Sequence, residues 1–459
     1  MLFPTLDFAI FFLLVFPLAW MLAGRPLPHR LLLVAASYLF YGFWDWRFCF
    51  LLLAMSLFAW AAGLALAGGR KPLLLAGAIG VLLLVLGFFK YYGFFVEQAL
   101  PLLAALGWER DIALIAVALP VGISFLTFHG ISYLVDVHRG DLAPARQPLD
   151  VMLYLSFFPH LVAGPIVRAG AFLPQLARPP DMGVLRRGEG LLLILVGVFK
   201  KVFVASTLGV ELVDPVFLDP AGHGRADLVL AALGYAAQIY CDFSAYSDMA
   251  VGLAGLLGYR FPRNFERPYA ATSIRDFWRR WHVTLSAFLR DYLYKPLGGS
   301  RHGTLATTAN LMVVMTLGGL WHGAAWSFIA WGALHGAALA LERALRGTRE
   351  GGVAGWCATF TVVTAGWVLF RAGSGEAALD YAAALARGEA TSALATPLHL
   401  ALIGGTIAVQ FVPEAPRARL IGWFGHLSAA ERGLAAGLWL AAVGALAPDG
   451  ILPFIYFQF

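Results

Sequence analysis

The sequence predicts an all-α polytopic membrane protein that forms a single integral membrane domain over residues 1–459. Two composition figures support this fold class: 60% of the residues are hydrophobic and only 13% are charged. Soluble domains carry about a quarter charged residues, so this chain has too few polar side chains to cover a water-exposed surface. The same figures exclude intrinsic disorder, a long coiled coil and a collagen-like fibre.

Long apolar segments are a third observation that supports this fold class. A helix needs about 20 mostly apolar residues to cross a bilayer. In chain order, spans are predicted at residues 6–23, 31–44, 48–68, 72–89, 112–135, 188–210, 227–257, 308–345, 353–370, 397–413 and 433–447. The 308–345 segment is long enough for two helices. We therefore expect about 11 spans, or 12 if this segment turns back on itself.

The loops between these spans predict the orientation of the chain, because Lys and Arg are retained on the cytoplasmic side. Basic residues are concentrated in alternate loops, at 25–30, 70–71, 139–146 and 260–301. The loops between them carry acidic residues: Asp45, Glu97, Glu109, Asp111, Asp214 and Asp219. We therefore expect the N-terminus outside the cytoplasm and the arginine-rich loops inside it.

Residues 151–180 are apolar but are interrupted by Gly164 and by five prolines, at positions 159, 165, 174, 179 and 180. Proline removes a backbone donor and breaks helices. Non-helical backbone at membrane depth survives only inside protein or beside a wet cavity. We expect a re-entrant segment next to an internal cavity, with an ordinary cytoplasmic loop as the alternative.

The segment 259–301 holds nine cations and three acids, a net charge of +6 that equals the formal charge of the whole chain. Ser273 stands three residues before Asp276, which is a variant of the capping-box helix start. Aromatic and aliphatic residues then recur at helical spacing: Trp278, Trp281, Leu285, Phe288 or Leu289, and Tyr292. The pattern predicts one amphipathic helix. It either lies on anionic lipid or docks an anionic donor, such as a nucleotide-bearing thioester or an acidic carrier protein.

Several enzyme signatures are absent from the sequence. It contains no phosphate-binding P-loop, no paired Cys/His spacing typical of zinc and no G-x-S-x-G serine elbow, so no metal site is expected. Gly252, Gly255 and Gly258 recur every third residue, which favours close helix packing over a dinucleotide-binding loop.

Polar residues inside apolar segments are costly and by default suggest function. His322 lies among small residues in GGLWHGAAWSFIAWGALHG, where burial favours the neutral imidazole that a general base requires. A structural histidine is the alternative for His322, and His335 is expected to be structural. His282, in DFWRRWHVTLS, either orients a donor, assists the base or has no function.

Buried acids form a second group of candidates. Asp242 and Asp248, in YCDFSAYSDMA, are expected to form structural ion pairs with arginines of residues 151–180, or to line a pathway. His129 and Asp136 stay undecided. From the residues alone, two classes of protein remain: an enzyme that handles an acyl or comparable group inside the bilayer, and a transporter. A transporter predicts repeated broken helices in two halves, and the proline-rich 151–180 segment has no counterpart in the second half.

The motifs resemble the bacterial branch of the membrane-bound O-acyltransferase family over nearly the whole chain. The resemblance is carried by PVGISFLTFHGISYLVDVHRG, YLSFFPHLVAGPIVR, YCDFSAYSDMAVGLAGLLGYRFPRNFERPY, FWRRWHVTLSAFLRDYLYKPLGG, LGGLWHGAAWSFIAWGALHG and the terminal PFIYFQF. It implies a ring of helices around a thinned centre with a tunnel between the two faces.

The same resemblance implies roles for particular residues. His322 matches the catalytic histidine of the family's WHG motif, and His282 matches its second polar position. Donor-binding candidates are Trp278, Arg279, Arg280 and Trp281. Candidates for lining the tunnel are Asp242, Asp248, Trp321 and Trp326.

The resemblance further implies an activity, partners and a location. The expected donor is a cytoplasmic acyl thioester, acetyl-CoA or a carrier-bound acyl group. The expected acceptor lies outside, for O-acetylation of an exopolysaccharide such as alginate, with a periplasmic SGNH-hydrolase-like partner. D-alanyl or acetyl transfer to teichoic acid or peptidoglycan is the alternative. We expect a multi-pass protein of the bacterial inner membrane that contacts membrane lipid and has no cofactor, metal or nucleic-acid partner.

Overall fold

The computed structural model describes residues 1, 3–69, 71–107, 117–346, 351–389, 391–448 and 452–455. Within these ranges the chain forms helices and connecting loops without a β-strand, which confirms the all-α prediction. The chain divides into two compact units, Met1–Pro180 and Asp181–Phe459. A single domain over residues 1–459 stays a prediction.

The first unit contains eight helices within its described residues. They are α1 (Leu6–Met21), α2 (Pro26–Asp45), α3 (Phe48–Leu66), α4 (Pro72–Ala105), α5 (Ile123–Arg139), α6 (Pro148–Ser156), α7 (Phe158–Leu161) and α8 (Ala169–Leu176). The span predicted at 112–135 begins among residues 108–116, which lie outside the described residues. Its described part becomes helical at Ile123, after Gly122 in the left-handed region (φ 76°).

The predicted interruption of residues 151–180 is confirmed. The chain forms three short helices there, α6, α7 and α8, and most of their side chains are buried. Phe157 leaves the helical region (φ −53°, ψ 109°) between α6 and α7. A re-entrant position at membrane depth stays a prediction.

The second unit carries every predicted catalytic, donor-binding and tunnel-lining residue. Its helices are α9 (Glu189–Leu218), α10 (Arg225–Leu256), α11 (Ile274–Arg280), α12 (Val283–Leu289), α13 (Gly303–His322), α14 (Trp326–Arg346), α15 (Gly352–Ala372), α16 (Gly375–Arg387), α17 (Pro397–Phe411), α18 (Glu414–His426) and α19 (Ala429–Leu446).

Seven helices of the described residues are long and apolar enough to cross a membrane: α3, α4, α9, α10, α13, α15 and α19. An eighth span is possible if α17 and α18, which meet at a bend of 98°, cross together. The chain is a multi-pass membrane protein. The total of about 11 spans, the ring, the thinned centre and the tunnel stay predictions.

Helix α10 forms the buried centre of the second unit, and α9 packs closely along it. A Cβ atom at Gly252 would lie 2.6 Å from the carbonyl oxygen of Gly190, and one at Gly197 would lie 2.9 Å from that of Ala245. The prediction of close helix packing is therefore confirmed for Gly252. Gly255 instead lies against Leu185 in the loop before α9, and Gly258 follows the end of α10 in the left-handed region (φ 87°). Helix α9 includes a π-helical stretch, Phe199–Ala205, and such stretches are frequent at functional sites.

The 308–345 segment does turn back on itself. Helix α13 ends at His322 and α14 begins at Trp326. The two helices pack antiparallel, because Gly332 of α14 lies against Met315 and Gly336 lies against Met312. Glycine allows this close approach, which brings the residues on both sides of His322 together.

We expect Gly332→Ala to destabilise the protein. Its Cβ would collide with the backbone oxygen of Met315 and lie 2.9 Å from Cα of Thr316, and neither atom can move without displacing α13. Overpacking of this kind costs about 1–3 kcal/mol or more, measurable as a lower Tm in detergent. Gly405→Ala is the matched control, because a Cβ there meets no atom within 4 Å. An equal Tm for the two variants would contradict the close packing.

Candidate active site

His322 is the last residue of α13 and is almost fully buried. The chain becomes extended at Gly323 (φ −158°, ψ 152°) and then turns into α14. A side chain at position 323 would overlap the ring of Phe328. The small residue after His322 therefore lets the hairpin close directly beside the imidazole.

Aromatic rings enclose the His322 imidazole. The ring centroids of Trp321, Trp331 and Phe370 lie 4.9, 5.1 and 5.3 Å from its own. Trp331 comes from α14 and Phe370 from α15, so three helices build the enclosure. Such a site excludes bulk water, which strengthens electrostatic interactions with a reacting group.

His282 lies in a break between two short helices. The predicted continuous amphipathic helix is wrong: α11 ends at Arg280, Trp281 is extended, and His282 has left-handed dihedral angles (φ 42°, ψ 54°). A non-glycine residue rarely adopts this conformation, and it costs about 1–3 kcal/mol. The predicted start at Ser273 is confirmed, since its hydroxyl accepts a hydrogen bond from the amide of Asp276.

Asn264 holds the His282 ring in place. Its Oδ1 lies 3.1 Å from Nδ1 of His282 and accepts hydrogen bonds from the amide (3.2 Å) and hydroxyl (2.8 Å) of Thr284. Its amide group donates to the hydroxyl of Ser247 on α10 (3.2 Å). The amide of Leu285 also points at Nδ1, from 3.4 Å, and its donation would require the opposite tautomer. Because Oδ1 of Asn264 can only accept and lies closer, at 3.1 Å, we assign the proton to Nδ1 of His282.

This tautomer leaves the lone pair of His282 on Nε2, which has no hydrogen-bond partner among the described residues. Full burial lowers the pKa of His282 to about 3, so the ring stays neutral at physiological pH. A neutral imidazole with an unengaged Nε2 can accept a proton or a hydrogen bond from a bound molecule.

The two candidate histidines both contact one tryptophan. The ring centroid of Trp321 is 6.2 Å from that of His282 and 4.9 Å from that of His322. The structure therefore brings both predicted catalytic residues into one aromatic cluster, although 39 intervening residues separate them in the sequence.

The predicted donor-binding residues occupy different environments. Arg279 is exposed, and Arg280 is half-buried in an ion pair with Asp276 (Nε to Oδ2, 2.8 Å). Trp278 is half-buried beside Trp331, whereas Trp281 is fully buried against other rings. Arg279 is thus the member of this group most accessible to a large anion, and the donor-binding role of all four stays a prediction.

The residues predicted to line the tunnel also lie in different environments. Trp321 is buried beside both histidines, whereas Trp326 is 59% exposed at the start of α14. Asp242 and Asp248 form ion pairs with Lys201 and Lys200 of α9. Structural pairing of these acids is therefore confirmed, but the partners are lysines of α9 rather than the predicted arginines. A tunnel-lining role for the four residues stays a prediction.

Sequence reasoning missed several residues that build this site. Asn264, Trp331 and Phe370 contact one of the two histidines, and Glu342 of α14 accepts hydrogen bonds from the amides of Ile274 and Arg275 at the start of α11. Glu342 is an acid at the end of an apolar segment, a signal that could have singled it out. Nothing local distinguishes Phe370 from the other phenylalanines of the chain.

Comparison with known proteins identifies the family. A sequence model of the membrane-bound O-acyltransferase family matches residues 225–368, which include both histidines. The probable alginate O-acetylase AlgI of Pseudomonas putida is 44% identical over 381 residues, which make up 81% of this chain and 77% of that protein. The chain belongs to the membrane-bound O-acyltransferase family.

Two further relatives support this membership. The probable alginate O-acetylase AlgI of Pseudomonas aeruginosa is 42% identical over 81% of this chain and 72% of its own length. The peptidoglycan O-acetyltransferase of Helicobacter pylori is 36% identical over 78% of this chain and 73% of its own length. This membrane-bound O-acyltransferase is therefore an enzyme, and of the two classes left open by the sequence, the transporter is set aside.

Proposed function

We propose that this membrane-bound O-acyltransferase, located in the bacterial inner membrane, transfers an acetyl group from cytoplasmic acetyl-CoA to an acceptor outside the cytoplasm. The transfer serves O-acetylation of an exopolysaccharide such as alginate. The observation that carries this proposal is the identity of 42–44% with probable alginate O-acetylases over about four fifths of the chain. The buried histidine pair around Trp321 supports it.

In the proposed reaction His322 is the general base. It removes the proton from the acceptor hydroxyl, whose oxygen forms a bond to the thioester carbonyl carbon. The carbon–sulfur bond breaks, and coenzyme A leaves as a thiol that takes up the proton from His322. The aromatic enclosure keeps water from competing with the acceptor. His282, through its lone pair on Nε2, orients the acceptor or assists the proton transfer.

A second acceptor has its own support. The Helicobacter relative is a peptidoglycan O-acetyltransferase, so a cell-wall glycan is the alternative polymer. For either polymer we propose a periplasmic SGNH-hydrolase-like partner that completes the transfer. The acetyl group reaches this partner's serine directly or by a small intermediate.

The test uses purified protein in nanodiscs with radiolabelled acetyl-CoA. Donor consumption is measured with and without a candidate periplasmic partner, and label is then counted in added alginate and in peptidoglycan. We expect His322-dependent consumption and label in alginate. Label in peptidoglycan alone would identify this cell-wall polymer, and not alginate, as the acceptor. No consumption with any partner would contradict acetyl-CoA as the donor and favour a carrier-bound acyl group.

Neutralising Arg279 and Arg280 with glutamine should weaken donor binding. Each solvent-accessible charge pair contributes about 0.2–1 kcal/mol. Loss of two such pairs should raise the apparent KM for acetyl-CoA about two- to thirtyfold. The effect should be larger at 10 mM than at 150 mM salt, because the Debye length falls from about 30 to about 8 Å.

The matched control for this variant replaces Arg417 and Arg419 of α18 with glutamine, which makes the same change in net charge. An unchanged KM for the Arg279/Arg280 variant, or an equal rise in KM in the control, would contradict a donor-binding role. These arginines would then serve only to contact anionic lipid.

A further inference from the structure

Residues 452–455 are bound to the centre of the second unit by polar contacts. The amide of Ile455 donates a hydrogen bond to Oδ2 of Asp242 (2.8 Å), and the ammonium group of Lys201 donates to the carbonyl oxygen of Pro453 (3.0 Å). Lys201 and Asp242 also form an ion pair with each other, with Nζ 2.8 Å from Oδ1. One ion pair between α9 and α10 thus provides both polar anchors of this segment.

The anchoring ion pair is deeply buried. The side chains of Lys201 and Asp242 are 2% and 4% exposed. Buried ion pairs are often no more stabilising than apolar residues of similar size, so stability alone gives a weak reason for this pair. Its contacts with backbone groups of residues 452–455 suggest a specific role in holding that segment.

Between its anchors the segment packs against aromatic residues of α10. Phe454 is fully buried, and its ring centroid lies 4.3 Å from that of Tyr246 and 5.8 Å from that of Phe243. The centroid of Phe243 in turn lies 4.6 Å from that of His282, with the rings nearly perpendicular. Phe243 is therefore in contact with both the segment and a candidate catalytic residue.

We propose that Lys201 and Asp242 are positioning residues that hold residues 452–455 against Phe243 and thereby fix the orientation of His282. Loss of the anchor releases Phe454, and Phe243 then gains space to move away from the imidazole. The catalytic part of this inference rests on the proposed acetyl transfer, whereas the anchoring part does not.

A neighbouring ion pair provides a matched control. Lys200 and Asp248 join the same two helices, and their described contacts include Ser244 and the ring of Tyr240 but no residue of 452–455. The test variant is Lys201→Met with Asp242→Leu, and the control is Lys200→Met with Asp248→Leu. Apolar replacement of both partners avoids an unpaired buried charge.

Hydrogen–deuterium exchange on the full-length protein tests the anchor. We expect the peptide containing residues 452–455 to exchange about tenfold faster or more in the test variant, because the hydrogen bond from Ile455 to a charged acceptor is lost. Exchange of this peptide in the control should match wild type. Lys201→Arg, which retains the charge, should restore protection. Unchanged exchange in the test variant would overturn the anchor.

Kinetics test the positioning role. We expect kcat for acetyl-CoA consumption to fall about tenfold or more in the test variant with an unchanged KM for the donor, and Lys201→Arg to restore it. Faster exchange with wild-type kcat would overturn positioning of His282. If wild-type protein consumes no donor, the proposed function fails, and exchange alone decides whether the anchor exists.

Discussion

Replacement of His322 by alanine is expected to lower acetyl-CoA turnover by a factor of about 10²–10⁴ or more, the range that a positioned base contributes. The imidazole lies in an enclosure built from three helices, beside Trp321, Trp331 and Phe370, where another base cannot easily replace it. Turnover of radiolabelled acetyl-CoA by purified protein is the measurement.

The control for this prediction is His302→Ala. His302 stands immediately before α13, at the opposite end from His322, and is exposed. Both variants should remain folded, as judged by Tm in the same detergent. Wild-type turnover in folded His322→Ala protein would contradict the assignment of His322 as the base. His282, with its neutral ring and unengaged Nε2, would then be the candidate base.

Replacement of Asn264 by leucine is expected to lower turnover about 10²-fold, the cost of a displacement of about 1 Å in a catalytic group. The variant removes the acceptor of hydrogen bonds from Nδ1 of His282 and from the amide and hydroxyl of Thr284. Each lost intramolecular hydrogen bond costs about 0.5–1.5 kcal/mol, so Tm should fall.

Asn264→Asp separates the loss of orientation from the loss of stability. Aspartate keeps the acceptor for His282 and Thr284 but loses the donation to Ser247. It also places a negative charge beside the buried imidazole, which favours the protonated ring. We expect this variant to retain more turnover than Asn264→Leu and to keep the donor KM of wild type. Equal kcat values in Asn264→Leu and wild-type protein would show that the orientation of His282 does not matter for the reaction.

The break at Trp281 and His282 illustrates what sequence patterns miss. No proline or glycine occurs between residues 274 and 294, and the helical spacing of aromatic residues continues across the break. The helix is interrupted where residues 264–266 bind its backbone groups. The amide of Glu266 donates a hydrogen bond to the carbonyl oxygen of Arg280, and Asn264 accepts hydrogen bonds from the amides of Val283 and Thr284. Tertiary contacts override local helix propensity here.

The ion pairs of Asp242 and Asp248 are a second example. The sequence marks both as buried acids that need partners. Their actual partners, Lys201 and Lys200, are consecutive residues in a π-helical stretch. Regular α-helical periodicity does not predict that both lysines reach the same neighbouring helix.

Composition and motifs by themselves determined that this chain is an all-helical, multi-pass membrane protein of the O-acyltransferase family, with His322 and His282 as candidates. Each of these features depends on residues that are close together in the sequence: the length of an apolar segment, a proline break, a helix cap or the residues of a motif. Only the tertiary structure decided that both histidines contact Trp321, that Asn264 holds the ring of His282, and that residues 452–455 pack against Phe243. Those contacts join residues far apart in the chain, and they depend on how the helices pack rather than on any local pattern.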